Sequence, residues 1–371
     1  MVIYMIKRII IIAVNALCLI AFFVCLGISS SIRTPLRSQQ ANIAWAGQSG
    51  DRFAQLSLFF PPASTFDVDG VMSLRSSIEK ALTAASIDSA GRTLYKDAWS
   101  AETDVSLMSL RGSPTTAKAI AVGGDFFLFH PLTLRHGSYL SPNDVMKDRV
   151  VIDEELAWRL FGAVHVAGFE LMLNNRPFIV AGVISRETDF ATSKAYSYGA
   201  GLFMSFDALL DMTEGSAKIE TYEIVLPNPI TGFAHSMFEK ESPNPNALLI
   251  ENSARFNLGN TFSRIGEFGE RSMRTDPLQL PYWENAARYA EDWLALILII
   301  SLIFLTFPFI CAIIYTVILI RFLIKQSKSK IHSLIAKKDQ RHYEQYLLEH
   351  GEDLEEYSLN DIISEVHDEI Y

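Results

Sequence analysis

The chain has 371 residues, 49% of them hydrophobic, with a mean hydropathy of +0.19 and a formal net charge of −10. That apolar content excludes an ordinary water-soluble protein. Between the two apolar runs described below stand 23 Lys and Arg against 31 Asp and Glu, which argues against nucleic acid or an anionic lipid surface as a partner of that region.

Residues 1–8 are a short cytoplasmic N-terminus, and residues 9–28 (IIIIAVNALCLIAFFVCLGI) are an uncharged run long enough to cross a ~30 Å hydrocarbon core. The run is longer than the roughly 7–15 residues of a signal-peptide core and no A-x-A-like site follows, so it is expected to remain as an anchor. Residues 29–50, rich in Ser, Gln and Gly, read as a tether. A strand is expected at 54–60 (AQLSLFF), closed by Pro61 and Pro62. Asp67 or Asp69 caps a helix reaching Ser86, with Val71, Leu74, Ile78, Ala81, Leu82 and Ala85 on one face. Further strands fit 105–111 and 117–122, the second ending at Gly123 and Gly124.

The stretch 150–162 (VVIDEELAWRLFG) raises the question of chemistry, because three consecutive carboxylates follow an apolar run. Val150, Val151 and Ile152 suit a buried strand. Asp153 suits an N-cap, Glu154 and Glu155 the first turn where the helix dipole favours negative charge, and Gly162 the end. Adjacent helix residues point about 100° apart, so Glu154 and Glu155 are poorly placed to share a substrate. The acids read as a cap. A hairpin follows at 169–173 and 177–184, with Asn174 and Asn175 tolerating the positive φ of a type I′ turn. Both parities of its second strand are apolar, which suggests cover on both faces. Strands at 201–204, 222–226 and 247–251 and a helix at 206–212 complete residues 51–265. Strands and helices alternate without a regular βαβ period, which predicts an α+β extracytoplasmic domain of two subdomains between two transmembrane helices.

Residues 266–292 read as a linker and juxtamembrane helix, in which Tyr282, Trp283 and Tyr289 mix with charges up to Trp293. One account is an interfacial aromatic belt, the other a stiff lever between membrane and domain. Residues 293–320 form the second uncharged run, read as one tilted helix bent at Pro308. Lys7 and Arg8 precede the first span, and Arg321, Lys325, Lys328 and Lys330 follow the second. Both termini are therefore expected in the cytoplasm of a cell-membrane protein, with the large domain outside. The tail, 321–371, is basic and then acidic, a short helical cytoplasmic segment in which Ile362, Val366 and Ile370 share one face. They suit docking in a partner's groove; a frayed, solvated terminus is the other account.

Val122-Gly123-Gly124-Asp125-Phe126-Phe127, Leu132, His136-Gly137 and Leu140-Ser141-Pro142-Asn143-Asp144, with 150–162 and Arg176-Pro177-Phe178-Ile179-Val180-Ala181-Gly182-Val183-Ile184, resemble successive blocks of the periplasmic core domain of MacB-type ABC permeases. Val164-His165-Val166-Ala167-Gly168 departs from that family's "D-P-I-G" loop. The resemblance implies an extracytoplasmic domain that binds no cofactor, does no chemistry and moves with the membrane helices when a cytoplasmic ATPase dimer works. Such permeases carry four membrane helices, three of them after the core domain, where one is read here.

No Gly-Lys dipeptide occurs, hence no G-x-x-x-x-G-K-[ST] phosphate loop, and neither G-x-S-x-G nor H-E-x-x-H is present. His130 and His136 lack a third ligand in their neighbourhood and read as surface or capping histidines rather than a metal site. No catalytic, cofactor or metal residue is expected. The sequence thus points to a non-catalytic membrane subunit of an ABC-type export or mechanotransmission complex, with a separate ABC ATPase and a second permease-like subunit as partners. A stand-alone membrane-anchored scaffold for a peptide, lipid or cell-wall partner is the alternative, and an exported enzyme, for which no nucleophile–base set is found, is the remaining one.

Overall fold

Alternation in β1 (Phe53–Phe59) sets the architecture: Leu56 and Leu58 point one way, Gln55 and Ser57 the other, and all four are buried. The computed structural model describes residues 2–87, 93–109, 114–196, 201–273 and 278–350. It divides into two compact units, Phe23–Ser301 and the pair Met1–Phe22 with Leu302–Tyr371. Ile362, Val366 and Ile370 lie outside the described residues.

Helix α1 (Val2–Arg33) carries the first apolar run, and a 3-10 turn at Arg37–Gln39 leads to α2 (Ala41–Ala46). After β1 come α3 (Val68–Ala84), β2 (Lys96–Ser109), β3 (Thr115–Gly124), α4 (Phe126–Phe129) and β4 (Thr133–Gly137). Then follow β5 (Arg149–Asp153), α5 (Glu154–Phe161), β6 (Glu170–Leu173), β7 (Arg176–Ser185) and α6 (Thr192–Ala195). The domain closes with β8 (Gly201–Ser205), α7 (Phe206–Met212), β9 (Thr221–Pro227), α8 (Phe233–Glu241), β10 (Leu248–Glu251) and α9 (Leu258–Ser263). A 3-10 turn at Arg264–Glu267 precedes α10 (Tyr282–His350), which contains Pro308. Both α1 and α10 are long and apolar enough to cross a membrane.

Among the described residues the strands form one mixed sheet, ordered β10-β1-β9-β2-β3-β8-β5-β7-β4, with β6 bridging β2 and β7. Among the described strands, only β3–β8 and β5–β7 pair in parallel. Leu56, Ile224, Ala119, Met204 and Ile152 face one side and share a core with α3, α5, α7 and α8. The opposite parity contributes Gln55, Ser57, Glu223 and Phe203 to the other side. There Phe126 of α4 packs on Phe203 and on Trp283, in the first turn of α10. The sheet thus lies between two helical layers, one mainly apolar and one built around polar strand residues.

Several expected elements hold. Asp67 caps α3 by accepting from Gly70 N–H at 3.1 Å, and Asn174 and Asn175 take φ of 44° and 66° in the β6–β7 turn. Both parities of β7 are buried because its register with β5 shifts between Val150 and Val151, skipping Ala181. That bulge sends Phe178, Val180 and then Val183 into the same core.

Two expectations need correction. Residues 37–41 are no loose tether: Leu36, Ser38, Gln39 and Ala41 are buried, because Gln55 donates to Ser38 O at 2.7 Å and accepts from Ala41 N–H at 2.8 Å. Strand β2 starts at Lys96, well before 105, since the charge of Asp97 is neutralised within the fold by a bidentate pair with Arg75 at 2.7 Å. The Tyr222 hydroxyl also donates to Asp97, at 2.8 Å.

Asp153 caps α5, accepting from Leu156 N–H at 2.7 Å, and also accepts from Gly201 N–H at 2.7 Å and pairs with Arg186 at 3.1 Å. Glu154 and Glu155 turn instead to Arg135 and Arg159 on the surface. Asp153→Ala is therefore expected to destabilise the purified protein by about 2–3 kcal/mol, more than a cap alone. Asp153→Asn should cost about 1 kcal/mol, because an amide still caps Leu156 but weakens the Arg186 pair. Glu154→Gln and Glu155→Gln should stay within ~0.5 kcal/mol, all read by chemical denaturation.

Candidate functional site at a buried charge junction

The polar face of β1 and β9 has to satisfy Gln55, Ser57 and Glu223 away from water, and the partners it recruits join distant parts of the chain. Ser57 Oγ donates to Glu223 Oε1 at 3.0 Å and accepts from Asn252 Nδ2 at 2.6 Å. Asn252, just after β10, also donates its N–H to Gln55 O at 2.8 Å. Asn252 Oδ1 in turn lies 3.5 Å from Arg255 Nη1.

Arg255 is the centre of the arrangement, its side chain only 2% exposed. Nη1 and Nη2 clamp the two oxygens of Glu284 at 2.6 and 2.8 Å, Nε donates to Glu291 Oε1 at 2.8 Å, and Nη1 reaches Gln39 Oε1 at 3.2 Å. Glu284 also accepts from Arg288 Nε at 2.7 Å, and Glu291 from Arg271 Nη1 at 2.8 Å. Ser272 Oγ donates to Asp292 Oδ2 at 2.8 Å. Residues 284, 288 and 291 fall within about 60° of one another on a helix, so one stripe of α10 carries all three.

Burial works against the charged form of Glu284, but the Arg255 and Arg288 guanidiniums outweigh it and hold the carboxyl below the ordinary range. The Arg255 guanidinium is likewise held charged: burial opposes it and the Glu284 and Glu291 carboxylates prevail. One buried network therefore ties the segment after α1 (Gln39), the edge of the sheet (Asn252, Arg255) and the first turns of α10.

The network's other end is His130, whose Nε2 lies 2.5 Å from Glu223 Oε2. Its ring packs between Phe126 at 4.4 Å and Trp283 at 4.3 Å. His130 is thus a buried histidine rather than a surface one, and its neighbour in sequence His136 packs edge-on to His165 instead. Nothing in this arrangement resembles a nucleophile with its base. What it can do is fix α10 to the sheet in a single register.

Two concavities flank the junction. One, of about 410 Å³, is lined by Arg75, Lys96, Trp99 and Phe127, with Gly123 and Gly124 at its floor. Gly123 is required there, since a Cβ would sit 2.2 Å from the Trp99 ring. The other, of about 740 Å³, is an open groove beside β10 whose lining includes Arg255, Arg271 and Glu291.

The chain matches the MacB-like periplasmic core domain family over residues 9–230, more than half of its length. It belongs to that family. Among solved structures it is similar to the periplasmic region of MacB from Actinobacillus actinomycetemcomitans, at 17% identity and a TM-score of 0.38, covering 54% of this chain and 89% of that one. It is also similar to the extracellular domain of the ABC-type transporter YknZ from Gram-positive bacteria, at 15% identity and a TM-score of 0.35, covering 50% and 88%. No curated protein matches. With its two apolar helices, the chain is a membrane component of an ABC-type system with an extracytoplasmic domain. Within the junction, Gln39, Ser57, His130 and Glu223 lie inside the matched residues, while Arg255, Glu284 and Glu291 lie beyond them.

Sequence reasoning passed over the junction. The i, i+4, i+7 spacing of Glu284, Arg288 and Glu291 directly before an apolar run was the available signal, and so was Gln55 and Ser57 alternating with leucines. Arg255 had none, because its partners are remote in sequence.

Removing one side of the buried pair leaves the other charge stranded, so Glu284→Gln or Arg255→Met should cost about 3–5 kcal/mol in thermal unfolding of the detergent-solubilised chain. The folded pKa of Glu284 is depressed, so its contribution is complete at neutral pH and is lost as pH falls below the ordinary carboxylate value of about 4.3. Wild type should lose stability more steeply than Glu284→Gln on acidification through that range.

Proposed function

We propose that the chain is a non-catalytic subunit of an ABC-type export or mechanotransmission complex, in which the charge junction couples the membrane helices to the extracytoplasmic sheet. The observation that carries this reading is Arg255, which holds the segment following α1 and the start of α10 to the same sheet edge. A displacement of either connection reaches the sheet through side chains that have no water to fall back on.

Both termini are cytoplasmic in this reading, supported by Lys7 and Arg8 before one span and by Arg321, Lys325, Lys328 and Lys330 after the other. Residues 51–265 act as the core domain, with 29–50 and 266–292 as its two connections to the membrane. The domain works as two subdomains that meet where β3 pairs in parallel with β8. ATP hydrolysis belongs to a separate ABC ATPase, since no Gly-Lys dipeptide is present, and a second permease-like subunit packs against the spans. Ile362, Val366 and Ile370 offer that machinery a further docking face.

The test is isolation under mild detergent from native membranes, followed by mass spectrometry and ATPase assay. The complex should contain an ABC ATPase and hydrolyse ATP, whereas the chain alone in liposomes should not. Recovery of the chain alone, even after crosslinking, would favour the stand-alone scaffold. For orientation, a cysteine at Ser141 should react with an impermeant reagent in spheroplasts and one at Gln340 should not.

A further inference from the structure

The stretches tied to the entry of α10 into the apolar run carry large apolar side chains that stay exposed among the described residues. Trp293 opens the uncharged run, one residue after Asp292. Arg271 and Ser272 are pinned to Glu291 and Asp292, each at 2.8 Å, so the segment from α9 onward is held at the level where α10 leaves its charged turn. On that segment Leu258 and Phe262, an i, i+4 pair on α9, are 76% and 61% exposed, and Phe268 is exposed beyond them. On a separate loop Phe190, 44% exposed, packs 5.4 Å from Tyr289 and 5.5 Å from Trp293.

Single exposed apolar residues are ordinary on any surface, and Ile230 and Met108 are examples. Here three lie on a stretch tied at both ends to the first turns of α10, by Arg255 and Arg271, the fourth touches Tyr289 and Trp293, and the uncharged run begins at that turn. Aromatic and leucine side chains at that depth are stabilised by the boundary between headgroups and acyl chains. The neighbouring charges are balanced, with Arg264 and Arg271 beside Glu267 and Glu270, so apolar insertion rather than attraction to anionic lipid supplies the binding.

We propose that Leu258, Phe262, Phe268 and Phe190 form a membrane-contact surface of the extracytoplasmic domain, seated in the interfacial layer of the bilayer that α10 enters. The surface adds a second support for the domain next to the charge junction. It rests on the membrane assignment alone and stands whether or not the chain works with an ATPase.

The experiment uses the full chain with Cys18, Cys25 and Cys311 replaced by alanine, carrying one environment-sensitive fluorophore on Leu258→Cys, Phe262→Cys or Phe190→Cys. Met108→Cys is the reference, since it lies about 30 Å along β2 from Ala98, which pairs with Glu223 at the junction. Each variant is reconstituted into phosphatidylcholine vesicles with and without brominated acyl chains. Probes at 258, 262 and 190 should show blue-shifted emission and roughly twofold or greater quenching by the brominated lipid, while the probe at 108 should show neither. Solvent-like, unquenched emission at 258 and 262 would overturn the proposal. So would shielding of these sites that appears only when partner subunits are present, which would assign the surface to a protein contact.

Discussion

A guanidinium taken out of water must be matched on every donor, and that requirement at Arg255 organises the molecule. An unpaired buried charge costs several kcal/mol even after relaxation, so the residue cannot be accommodated by one neighbour. Its fork is rigid, and Glu284 meets it with both oxygens while Glu291 and Gln39 accept from two further donors. Three segments remote in sequence are thereby fixed relative to one another at a single point. The relay through Asn252, Ser57 and Glu223 to His130 extends the same demand across the polar face of the sheet. Each member uses its hydrogen bonds to keep the next one satisfied.

The two faces of the sheet consequently do different things. The face shared with α3, α5, α7 and α8 is an ordinary apolar core, where Leu56, Ile224 and Met204 meet Leu74, Ile78 and Leu160. Such packing is strong but tolerant of small sliding, because dispersion and burial have little direction. The opposite face holds α10 through bonds that are short and directional, with Trp283 wedged beside His130 and Phe126. A buried ion network is weak evidence for added stability, and its better-attested use is in selecting one register among several apolar alternatives.

Much of the apolar framework was legible in the sequence. Val71, Leu74, Ile78 and Leu82 announced α3 by their spacing, Asp153 announced the cap of α5, and the Asn174–Asn175 pair announced the hairpin turn. Such features are local, decided by residues within a turn or two. The corrections all arise where a distant partner changes the meaning of a residue. Asp97 precedes the strand expected at 105–111, and Arg75 and Tyr222 are what neutralise it within β2. Residues 37–41 looked like a polar tether until Gln55 absorbed their backbone groups. The mixed parity of β7 was visible, but the bulge behind it depends on pairing with β5. The junction was the least legible part, because Arg255 carries no periodic signal and its ligands come from positions 39, 284 and 291.

The geometry of the junction also decides how movement at the membrane can pass to the sheet. Advancing a helix by one residue shifts it 1.5 Å and turns it about 100°. Either change at α10 would carry Glu284 and Glu291 off the fork of Arg255 and leave that buried guanidinium without its carboxylates. No intermediate slide is available, because the bidentate contact tolerates only a few tenths of an ångström before it is lost. The first turns of α10 must therefore move with the sheet edge as one piece, or the whole network must open to water at once. The open groove beside β10 has Arg255 and Glu291 in its lining, so a path for water into the network need not pass through the apolar core. In the proposed coupling, small displacements would be transmitted and large ones released, with a threshold set by the chemistry of Arg255 rather than by the size of the interface.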